Sequence, residues 1–423
     1  MKILTVVGAR PNFMKVAPII SAINAHNRKI TEDAAADGHG TTVQLQHVLV
    51  HTGQHYDEIM SGSFFSDLAL PKPDVHLGIG SGTHAAQTAE IMKKYEEIVM
   101  TEKPDVVIVV GDVNSTVACA LVTSKVSFDS AGTRPLIAHV EAGLRSFDRT
   151  MPEEINRIVT DHVSDLLFVT EESGLTNLNR EGISPEIMHF VGNTMIDSLL
   201  ALKGKADSST KLDELGLRSQ PGQNGEGKKV ARYALLTLHR PANVDNRDSL
   251  QNILDGLQEL GKECPIIFPV HPRTRKRSKE FGIDLNVDVD AKNVTCARQE
   301  PGGSHGGMTL IDPLGYLDFL CLMKNASIVV TDSGGIQEET TCLGIPCVTV
   351  RENTERPVTV EKGTNIIAGT SRESIRAAIR TQSQRKANVS VPMHWDGKAA
   401  TRIVEVLVRV GTNQKHSLRP TLV

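Results

Sequence analysis

The segment DVVIVVGDVNST at residues 105–116 decides the class of fold. Its apolar run, residues 106–110, is followed at once by Gly111, Asp112 and polar residues that can begin a helix. A continuous apolar run of this length is typical of a strand that is buried on both faces in a parallel sheet. It is too short to cross a bilayer, which takes about 20 residues in a helix. The segment therefore predicts a strand, a tight turn and a helix of an α/β protein.

Similar apolar and β-branched runs recur along the chain and are separated by helical patterns. In the first half they predict strands at residues 3–7, 47–51, 105–110, 136–140, 166–170 and 188–191. In the second half they predict strands at residues 233–238, 265–269, 294–296, 327–331, 347–350 and 365–368. Two such series favour two doubly wound, Rossmann-like domains. The length agrees, because 423 residues are too many for one ordinary core.

The break between the two series lies near Gly192. We predict a first domain at residues 1–192 and a second at residues 193–384, with a loop-like, glycine-rich insertion at residues 299–308. An amphipathic helix is predicted near the C-terminus, at about residues 399–410. Periodicity does not reveal which of the two domains this last helix packs on.

The overall composition excludes several classes of function. Lysine and arginine (46) nearly balance aspartate and glutamate (50), and aromatic residues make up 4 % of the chain. The basic field and the stacking platforms of a nucleic-acid binder are therefore not expected. The six cysteines form no CxxC pair and no metal-ligand spacing with histidine, which predicts no metal site. The few cysteines and the short first apolar run predict a cytoplasmic protein that does not enter a membrane.

The first candidate site is GARPNFMK at residues 8–15, directly after the first predicted strand. A glycine-containing turn that leads into a helix can present backbone N–H groups to an anion, and Arg10 and Lys15 would add positive charge. The P-loop spacing GxxxxGK[ST] is absent. An ordinary strand-to-helix turn with solvated cations is the structural alternative.

Three carboxylates of the first half, Asp112, Glu141 and Glu153, lie at predicted strand ends or just beyond them. Ligands bind outside the carboxyl ends of the strands in open parallel sheets. Asp112 has an alternative role as a helix cap, whereas glutamate is a poor cap, so Glu141 is the stronger catalytic candidate. Carboxylates that share one crevice raise one another's pKa, as acid–base chemistry requires.

Glu153 has a structural alternative of its own. Thr150 and Glu153 have the T-x-x-E spacing of a capping box, in which both side chains satisfy backbone N–H groups at the start of a helix. The apolar face predicted for this helix consists of Ile155, Ile158, Val159, His162 and Val163. From these residues alone Glu153 is either a cap or a catalytic group.

Two clusters of histidine and arginine follow predicted strands of the second half. One is His239 with Arg240, and the other is His271 with Arg273 and Arg275. Such clusters at strand ends suggest an anionic ligand, for example a diphosphate. A solvated basic edge would account for Arg275 equally well, and for His239 less easily.

The most specific local motif is TDSGGIQEET, within which Ser333, Gly334 and Gly335 form a predicted tight turn between an apolar strand and a helix. This geometry suits a pyrophosphate at the N-terminus of the helix. A glutamate one turn further along could bind both hydroxyls of a ribose. The motif is not G-x-G-x-x-G, so it does not predict a nicotinamide cofactor.

Ten segments occur in the order typical of the bacterial non-hydrolysing UDP-N-acetylglucosamine 2-epimerases, which the sequence resembles. They are GARPNFMK, TGQHYDEIM, GDVNST, HVEAGLRS, PEEINR, GNTMID, TLHRPAN, PVHPRT, DSGGIQEE and RENTERP, between residues 8 and 357. The resemblance implies a glycosyltransferase B-type pair of Rossmann-like domains with the active site in the interdomain cleft. It also implies that a C-terminal helix, at about residues 385–423, returns to the first domain.

The resemblance further implies an isomerase that converts UDP-N-acetylglucosamine reversibly to UDP-N-acetylmannosamine. Loss of the C2 proton and of UDP from C1 would give bound 2-acetamidoglucal, to which UDP adds back while C2 is reprotonated on the opposite face. No metal and no other cofactor is implied. Family likeness suggests a homodimer that works in surface-polysaccharide precursor synthesis.

Matching the motifs position by position implies roles for single residues. Asp112, Glu141 and Glu153 would be the catalytic carboxylates, and His239 would assist the departing diphosphate. The residues implied to hold UDP are Arg10, Lys15, His271, Phe319, Ser333, Gly334, Gly335, Glu339 and Arg356, with Phe319 in the uracil pocket. The match does not assign which carboxylate takes the proton and which returns it.

Three other functions compete with this interpretation. A hydrolysing 2-epimerase would share the elimination step and release free N-acetylmannosamine. A glycosyltransferase of the same fold would need an acceptor, and transfer alone does not require chemistry at C2. A nucleotide-sugar-binding regulatory protein would leave His239 and the three carboxylates unexplained.

Overall fold

The structure is a computed structural model that describes residues 1–37, 43–54, 68, 70–219, 229–283, 285, 307–384 and 390–414. Within these ranges the side chains at positions 10, 34–37, 413 and 414 are not described. The chain divides into two compact units, of which one consists of Met1–Ala201 with Met393–Val423 and the other of Leu202–Pro392. Every helix in the described ranges is too short or too polar to span a lipid bilayer.

The first unit is built on a sheet of seven parallel strands. In chain order they are β1 (Lys2–Val7), β2 (Gln46–His51), β3 (Val75–His76), β4 (Val106–Val110), β5 (Leu136–Ala142), β6 (Leu166–Val169) and β7 (Met188–Phe190). Their order in the sheet is β3-β2-β1-β4-β5-β6-β7. The helices that follow them are α1 (Arg10–Asp37), α2 (His84–Glu102), α3 (Asn114–Lys125), α4 (Pro152–Val163), α5 (Glu172–Arg180) and α6 (Thr194–Lys203).

The second unit repeats this plan with six parallel strands. They are β8 (Ala234–Thr237), β9 (Ile266–Pro269), β10 (Met308–Ile311), β11 (Ile328–Thr331), β12 (Cys347–Thr349) and β13 (Asn365–Ile367), in the order β10-β9-β8-β11-β12-β13. Its helices are α7 (Lys211–Glu214), α8 (Pro241–Val244), α9 (Arg247–Glu263), α10 (Pro272–Glu280), α11 (Tyr316–Asn325), α12 (Gly334–Leu343), α13 (Val358–Glu361) and α14 (Arg372–Gln384). The last helix of the chain is α15 (Ala399–Gln414).

The order of strands reverses once in each sheet, between β1 and β4 in the first unit and between β8 and β11 in the second. The chain segments that leave two such strands diverge to opposite faces, which opens a crevice at the carboxyl edge. Strand β4 is the apolar run from the sequence, and all of its residues are buried. Asp112 and Glu141 lie at this edge in the first unit, and His239 and Ser333 at the corresponding edge in the second.

The predicted strands are confirmed wherever the structure describes their residues, with ends that differ by one or two positions. The strand predicted at residues 294–296 lies outside the described residues, as do residues 55–60 of the TGQHYDEIM motif. Two strands were missed. The two-residue β3 is too short to show periodicity, and β10 begins where the glycine-rich insertion ends. The α/β class with two Rossmann-like parallel sheets is confirmed.

Helix α15 packs along α1 in the first unit. Its N-terminus is capped by a residue distant in sequence, because the Asp197 carboxylate accepts hydrogen bonds from the N–H groups of Ala399 (3.2 Å) and Ala400 (2.8 Å). Just before the helix the buried Trp395 donates from its indole nitrogen to the carbonyl of Thr170 at 3.1 Å. The return of the chain to the first unit is therefore fixed by two buried polar contacts.

Replacing Asp197 with alanine is expected to lower the free energy of unfolding by about 1–2 kcal/mol, the usual loss for an N-cap. Burial raises the pKa of Asp197 from 3.8 to about 6, so the contribution of this residue is full below the unfolded pKa and declines as pH rises through 6. Calorimetry should therefore show a larger loss of Tm at pH 5 than at pH 8. The exposed Glu96 serves as a control, since Glu96→Ala should leave Tm unchanged at both pH values.

Candidate active site

Glu141 lies in a distortion at the end of β5. The pairing of β5 with β6 shifts register between Val140 and Ala142, so Glu141 is the extra residue of a β-bulge. Its φ angle is +76°, in the left-handed region that residues with a Cβ rarely adopt. The carboxylate forms an ion pair with Lys15 of α1, and both side chains are more than nine-tenths buried. The site therefore holds a buried anion beside a buried cation at the end of the strand.

Gly111, which follows β4, allows this pair to approach the neighbouring strand end. Its φ is +67°, and a Cβ built on it would lie 3.0 Å from Lys15 Nζ and 3.5 Å from Glu141 Oε2. A side chain at this position would therefore press on the ion pair as well as strain the backbone. Glycine at position 111 leaves the space over Lys15 and Glu141 open.

Asp112 is held by an arginine of α4. Arg157 donates to Asp112 Oδ2 from Nη2 at 2.8 Å and from Nε at 3.0 Å, and its Nη1 contacts the buried Glu154. Asp112 is not a helix cap, because the residue that caps α3 is Val113, without a side-chain hydrogen bond. About a quarter of the Asp112 side chain remains exposed at 26 %. Asp112 is therefore a carboxylate that is fixed in position and partly accessible.

Glu153 is in a different state from the other two carboxylates. The predicted capping box is wrong, because α4 begins at Pro152 after Met151 and no side chain caps it. Thr150 instead donates its hydroxyl to Asp148 Oδ1 at 2.6 Å. Glu153 is half-buried, and within the described residues its side chain makes no hydrogen bond or ion pair. Its carboxylate is the one of the three that has no partner in the described chain.

The buried face of α4 is polar, so the apolar face predicted from periodicity is wrong. Ile155 is exposed, whereas the helix buries Glu154, Arg157, Thr160 and Asp161. Glu154 accepts hydrogen bonds from the loop after β5, among them the Ser146 N–H at 3.0 Å. The helix is thus oriented by charged contacts with the strand ends, which outweigh the burial of a few apolar side chains.

The turn after β1 does not offer the backbone donors that the sequence suggested. The N–H groups of Gly8 and Ala9 donate to Asn12 Oδ1 at 3.1 and 2.9 Å, so the side chain of α1 already satisfies them. Asn12 in turn donates to the carbonyl of Val110 at 3.0 Å, which ties β1 to β4. Helix α1 begins at Arg10, whose side chain lies outside the described part of the chain. The prediction of free backbone donors in this turn is therefore wrong.

In the second unit, Asp332 joins the two strand ends at the reversal of strand order. It is fully buried and accepts from the N–H groups of His239 and Arg240, the latter at 2.9 Å. It also lies 3.0 Å from His239 Nδ1, while about half of the His239 side chain, 47 %, is exposed. Burial by itself raises the pKa of Asp332, but the hydrogen bonds and charge of His239 outweigh it and the net pKa is lowered. An ionised aspartate therefore fixes the orientation of the exposed histidine ring.

Helix α12 begins directly after β11, and its N-terminus carries no side-chain cap. Ser333 is the capping residue by position, but its hydroxyl makes no capping hydrogen bond. A Cβ on Gly334 would lie 2.4 Å from Arg356 Nη1 and 2.7 Å from Glu355 Oε1. The first turn, with Gly334 and Gly335, thus has N–H groups not capped by a side chain and a guanidinium close by, which together favour an anion.

Three guanidinium groups surround Glu355 beside this helix. The carboxylate contacts Arg356 and accepts a hydrogen bond from Arg351 Nη2 at 2.7 Å. It also lies 3.7 Å from Arg240 Nη2. Arg356 also binds Glu338 of α12 at 2.9 Å. These side chains are mostly buried, so the positive charge is fixed in position before any ligand arrives.

Glu339, one turn into α12, is buried beside another carboxylate. The hydroxyl of Tyr316 donates to Glu339 Oε1 at 2.6 Å. Burial, with the adjacent Glu338 charge, raises the pKa of Glu339 to about 7 even though the Tyr316 hydrogen bond opposes the shift. Phe319 follows Tyr316 by one turn on α11 and is half-buried.

Replacing Glu339 with glutamine is expected to stabilise the unliganded protein at pH 8 and to have little effect at pH 5. The folded pKa is raised from 4.5 to about 7, so the stabilising contribution is present below the unfolded pKa and is lost as pH rises through 7. Removing the buried charge should add on the order of 2 kcal/mol at pH 8. Denaturant unfolding at the two pH values tests this, and an equal change at both would contradict it.

The second histidine–arginine cluster is largely used in local contacts. His271 caps α10, since its Nδ1 accepts from the N–H of Arg273 at 3.2 Å, and the residue is exposed. Arg273 pairs with Asp245, and Arg275 lies 3.1 Å from Asp312. Both arginines are therefore ion-paired with carboxylates, although their side chains remain 45 % and 43 % exposed and His271 is exposed beside them.

Comparison with known proteins identifies the family of this chain. The sequence model of a family described as UDP-N-acetylglucosamine 2-epimerase matches residues 40–408. A UDP-N-acetylglucosamine 2-epimerase of Methanocaldococcus jannaschii is 42 % identical over 409 residues, which cover 96 % of this chain and 99 % of that protein. The chain belongs to the UDP-N-acetylglucosamine 2-epimerase family.

A further relative and a solved structure extend this comparison. A UDP-2,3-diacetamido-2,3-dideoxy-D-glucuronate 2-epimerase of Pseudomonas aeruginosa is 37 % identical and covers 97 % of this chain and 100 % of its own. A crystal structure of the M. jannaschii UDP-GlcNAc 2-epimerase in complex with UDP-GlcNAc and UDP superimposes with a TM-score of 0.79 at 40 % identity. It covers 97 % of this chain and 100 % of its own. The family identified from the motifs is confirmed.

Several residues that shape the site of the epimerase were not singled out from the sequence. In the first unit they are His139, Arg145, Glu154, Arg157 and Asp161. In the second they are Asp332, Arg351 and Glu355. A signal was present on α4, where Glu154, Arg157 and Asp161 recur at helical spacing and mark a charged face that would be costly to leave without partners once buried.

Proposed function

We propose that this epimerase interconverts UDP-N-acetylglucosamine and UDP-N-acetylmannosamine without hydrolysing the nucleotide sugar. Family membership and the complex of the M. jannaschii relative with UDP-GlcNAc and UDP support the substrate class. The observation that carries the chemistry is that Asp112 and Glu141 lie at one edge of the first sheet in ion pairs, whereas Glu153, at the start of α4, has no side-chain partner within the described residues. Proton transfer on two faces of C2 needs more than one acid–base group.

The first chemical step is an elimination. Glu141 removes the C2 proton, the C–H electron pair becomes the C1=C2 double bond of 2-acetamidoglucal, and the C1–O bond breaks with its electron pair leaving on UDP. The Glu141 carboxylate faces the Lys15 ammonium in an ion pair, and a base acts in its carboxylate form. When Glu141 becomes protonated, Lys15 loses its anionic partner and its charge is available to the departing diphosphate.

The second step reverses the first with the opposite stereochemistry. UDP oxygen adds to C1 and a proton is delivered to C2 from the other face. Glu153, which has no partner within the described residues, is the proposed donor. Asp112 is held as an anion by Arg157, and we assign it the role of orienting the sugar and stabilising positive charge that develops at C1.

The second unit is proposed to hold UDP. The N–H groups of the first turn of α12 with Ser333, Gly334 and Gly335 would bind the diphosphate, and Arg356 would add charge. Glu339 would accept hydrogen bonds from the ribose hydroxyls. His239, whose Nδ1 faces Asp332, has Nε2 left to donate to the departing diphosphate.

The remaining residues implied by the motifs keep their proposed places. Phe319, half-buried on α11, is proposed to line the uracil pocket, and His271 to reach the nucleotide from the start of α10. Arg10 is proposed to bind the diphosphate as the family motif implies.

Proton NMR in D₂O tests the proposed reaction directly. The purified protein incubated with UDP-N-acetylglucosamine should produce UDP-N-acetylmannosamine that carries deuterium at C2 and still carries UDP. Deuterated free N-acetylmannosamine with UDP would identify a hydrolysing enzyme instead. The Pseudomonas aeruginosa relative is named for another substrate, UDP-2,3-diacetamido-2,3-dideoxy-D-glucuronate. If the protein converted only that compound, the proposed reaction would stand and the proposed sugar would be wrong.

We also propose a cytoplasmic homodimer that supplies precursors of surface polysaccharides. Free cysteines, most of them buried, among the described residues support a reducing compartment. The dimer rests on family likeness. Sedimentation equilibrium at micromolar concentration tests it, because a mass near 46 kDa rather than twice that value would contradict a dimer.

A further inference from the structure

The left-handed backbone of Glu141 has to be held in place by its surroundings. A residue with a Cβ at φ +76° is strained relative to an ordinary strand conformation. Such a conformation persists only where neighbouring contacts over-determine it. Contacts around the bulge must therefore hold the backbone that presents this carboxylate.

Hydrogen bonds fix the chain on both sides of Glu141. Before it, His139 Nε2 lies 2.8 Å from the carbonyl of Gly111, and the N–H of Gly111 donates to the carbonyl of Val140 at 3.0 Å. After it, the N–H of Gly143 donates to Asp161 Oδ2 at 3.1 Å. Asp161 also faces His139 Nδ1 at 2.7 Å, so one carboxylate reaches both flanks of the bulge.

The partners of His139 show which of its ring nitrogens donates a hydrogen bond. The Gly111 carbonyl can only accept, so His139 Nε2 carries a proton. The other ring nitrogen, Nδ1, faces a carboxylate oxygen, which also accepts when Asp161 is ionised. Both ring nitrogens thus face oxygen acceptors, and His139, which has no exposed surface, is held from both sides.

Asp161 has a second partner, Arg145, in addition to His139. Arg145 Nη1 lies 2.7 Å from Asp161 Oδ2, and Arg145 also pairs with Glu181 at 2.7 Å. Burial by itself raises the pKa of Asp161, but the contacts with His139 and Arg145 outweigh it and the net pKa is lowered. An ionised Asp161 is therefore compensated by the Arg145 guanidinium on one side and hydrogen-bonded to His139 on the other.

We propose that His139 is a positioning residue for proton transfer at C2: clamped by hydrogen bonds between Asp161 and the Gly111 carbonyl, it holds the bulge that aims the Glu141 carboxylate. The proposal rests on the proposed role of Glu141 as the base. His139 itself touches no substrate and acts through the backbone of Glu141. Aiming errors of about 1 Å can lower a rate by about 100-fold, which sets the size of the expected effect.

Three substitutions test the clamp. His139→Gln cannot donate to Gly111 and Asp161 at once, and Asp161→Leu removes the carboxylate that ties His139 to Gly143. Each should lower kcat and deuterium incorporation at C2 by about 100-fold, with UDP affinity by calorimetry changed less than about threefold. Asp161→Asn should restore most of kcat, because its amide can donate to Nδ1 of a neutral His139 while its oxygen accepts from Gly143.

A matched control separates aiming from stability. Tyr95, buried in the same unit, bonds Thr123 at 3.1 Å away from the bulge, so Tyr95→Phe should lower Tm without changing kcat. If His139→Gln and Asp161→Leu lower only Tm, or if Asp161→Asn loses as much activity as Asp161→Leu, the clamp is refuted. Glu141→Gln is assayed in parallel. Its full activity would refute the proposed base, whereas its inactivity beside an active His139→Gln would refute only the clamp.

Discussion

Replacing Glu141 with glutamine is expected to lower kcat by about 1000-fold, within the range usual for loss of a general base. The amide keeps the shape of the side chain but cannot take the C2 proton. Deuterium incorporation at C2 should fall in step with kcat. UDP affinity should change little, because Glu141 is not among the residues proposed to hold UDP. Single-turnover assays in D₂O and calorimetry with UDP measure the two effects separately.

The same substitution leaves Lys15 buried without its anionic partner, so Tm should fall as well. Assays are therefore run well below the midpoint of unfolding. Glu186→Gln, an exposed carboxylate in the same unit, is the matched control and should keep full activity. Normal turnover by Glu141→Gln would remove Glu141 from the mechanism and leave Asp112 and Glu153 as the candidates for the base.

Replacing Gly334 with alanine should produce the opposite pattern, a loss of UDP binding. The added Cβ would lie 2.4 Å from Arg356 Nη1 and 2.7 Å from Glu355 Oε1, so both side chains must move away from the start of α12. The methyl group would also occupy the space in front of the helix where the diphosphate is proposed to bind. We expect the Kd for UDP to rise about 10- to 100-fold, equivalent to about 1.4–2.8 kcal/mol.

Gly204 offers a matched control for this change. It lies in the same unit at φ −70°, and a Cβ built on it meets no atom within 4 Å. Gly204→Ala should therefore bind UDP like the parent protein. If Gly334→Ala kept the parent affinity in calorimetry, the diphosphate would have to be placed elsewhere than at the start of α12.

The strands were predictable because their signal is local. Strand β4 is apolar at every position, and its burial on both faces of a parallel sheet follows from that pattern. The turn after β11 was found for the same reason, since two glycines after an apolar strand allow a tight turn and a close approach of the backbone. Strand β10 was missed because the segment before it, rich in glycine, shows no periodicity from which a strand could be read.

Helix α4 shows where local reasoning fails. Its apolar side chains recur at helical spacing, and the hydrophobic effect alone would bury them. The structure instead buries Glu154, Arg157 and Asp161, because each finds a partner of opposite charge or a backbone donor on β5, its following loop or the end of β4. Whether a charged face can be buried depends on what it meets, and no single segment of sequence contains that information.

The sequence by itself determined the parallel α/β class, the two series of strands, the family and the positions of the three carboxylates, since strand patterns and turn chemistry act over a few residues. Only the tertiary structure decided the state of each carboxylate. Glu141 pairs with Lys15 and Asp112 with Arg157, across separate elements that the sheet order brings together. Protonation is set by such neighbours and by burial, and both arise only when distant parts of the chain pack against one another.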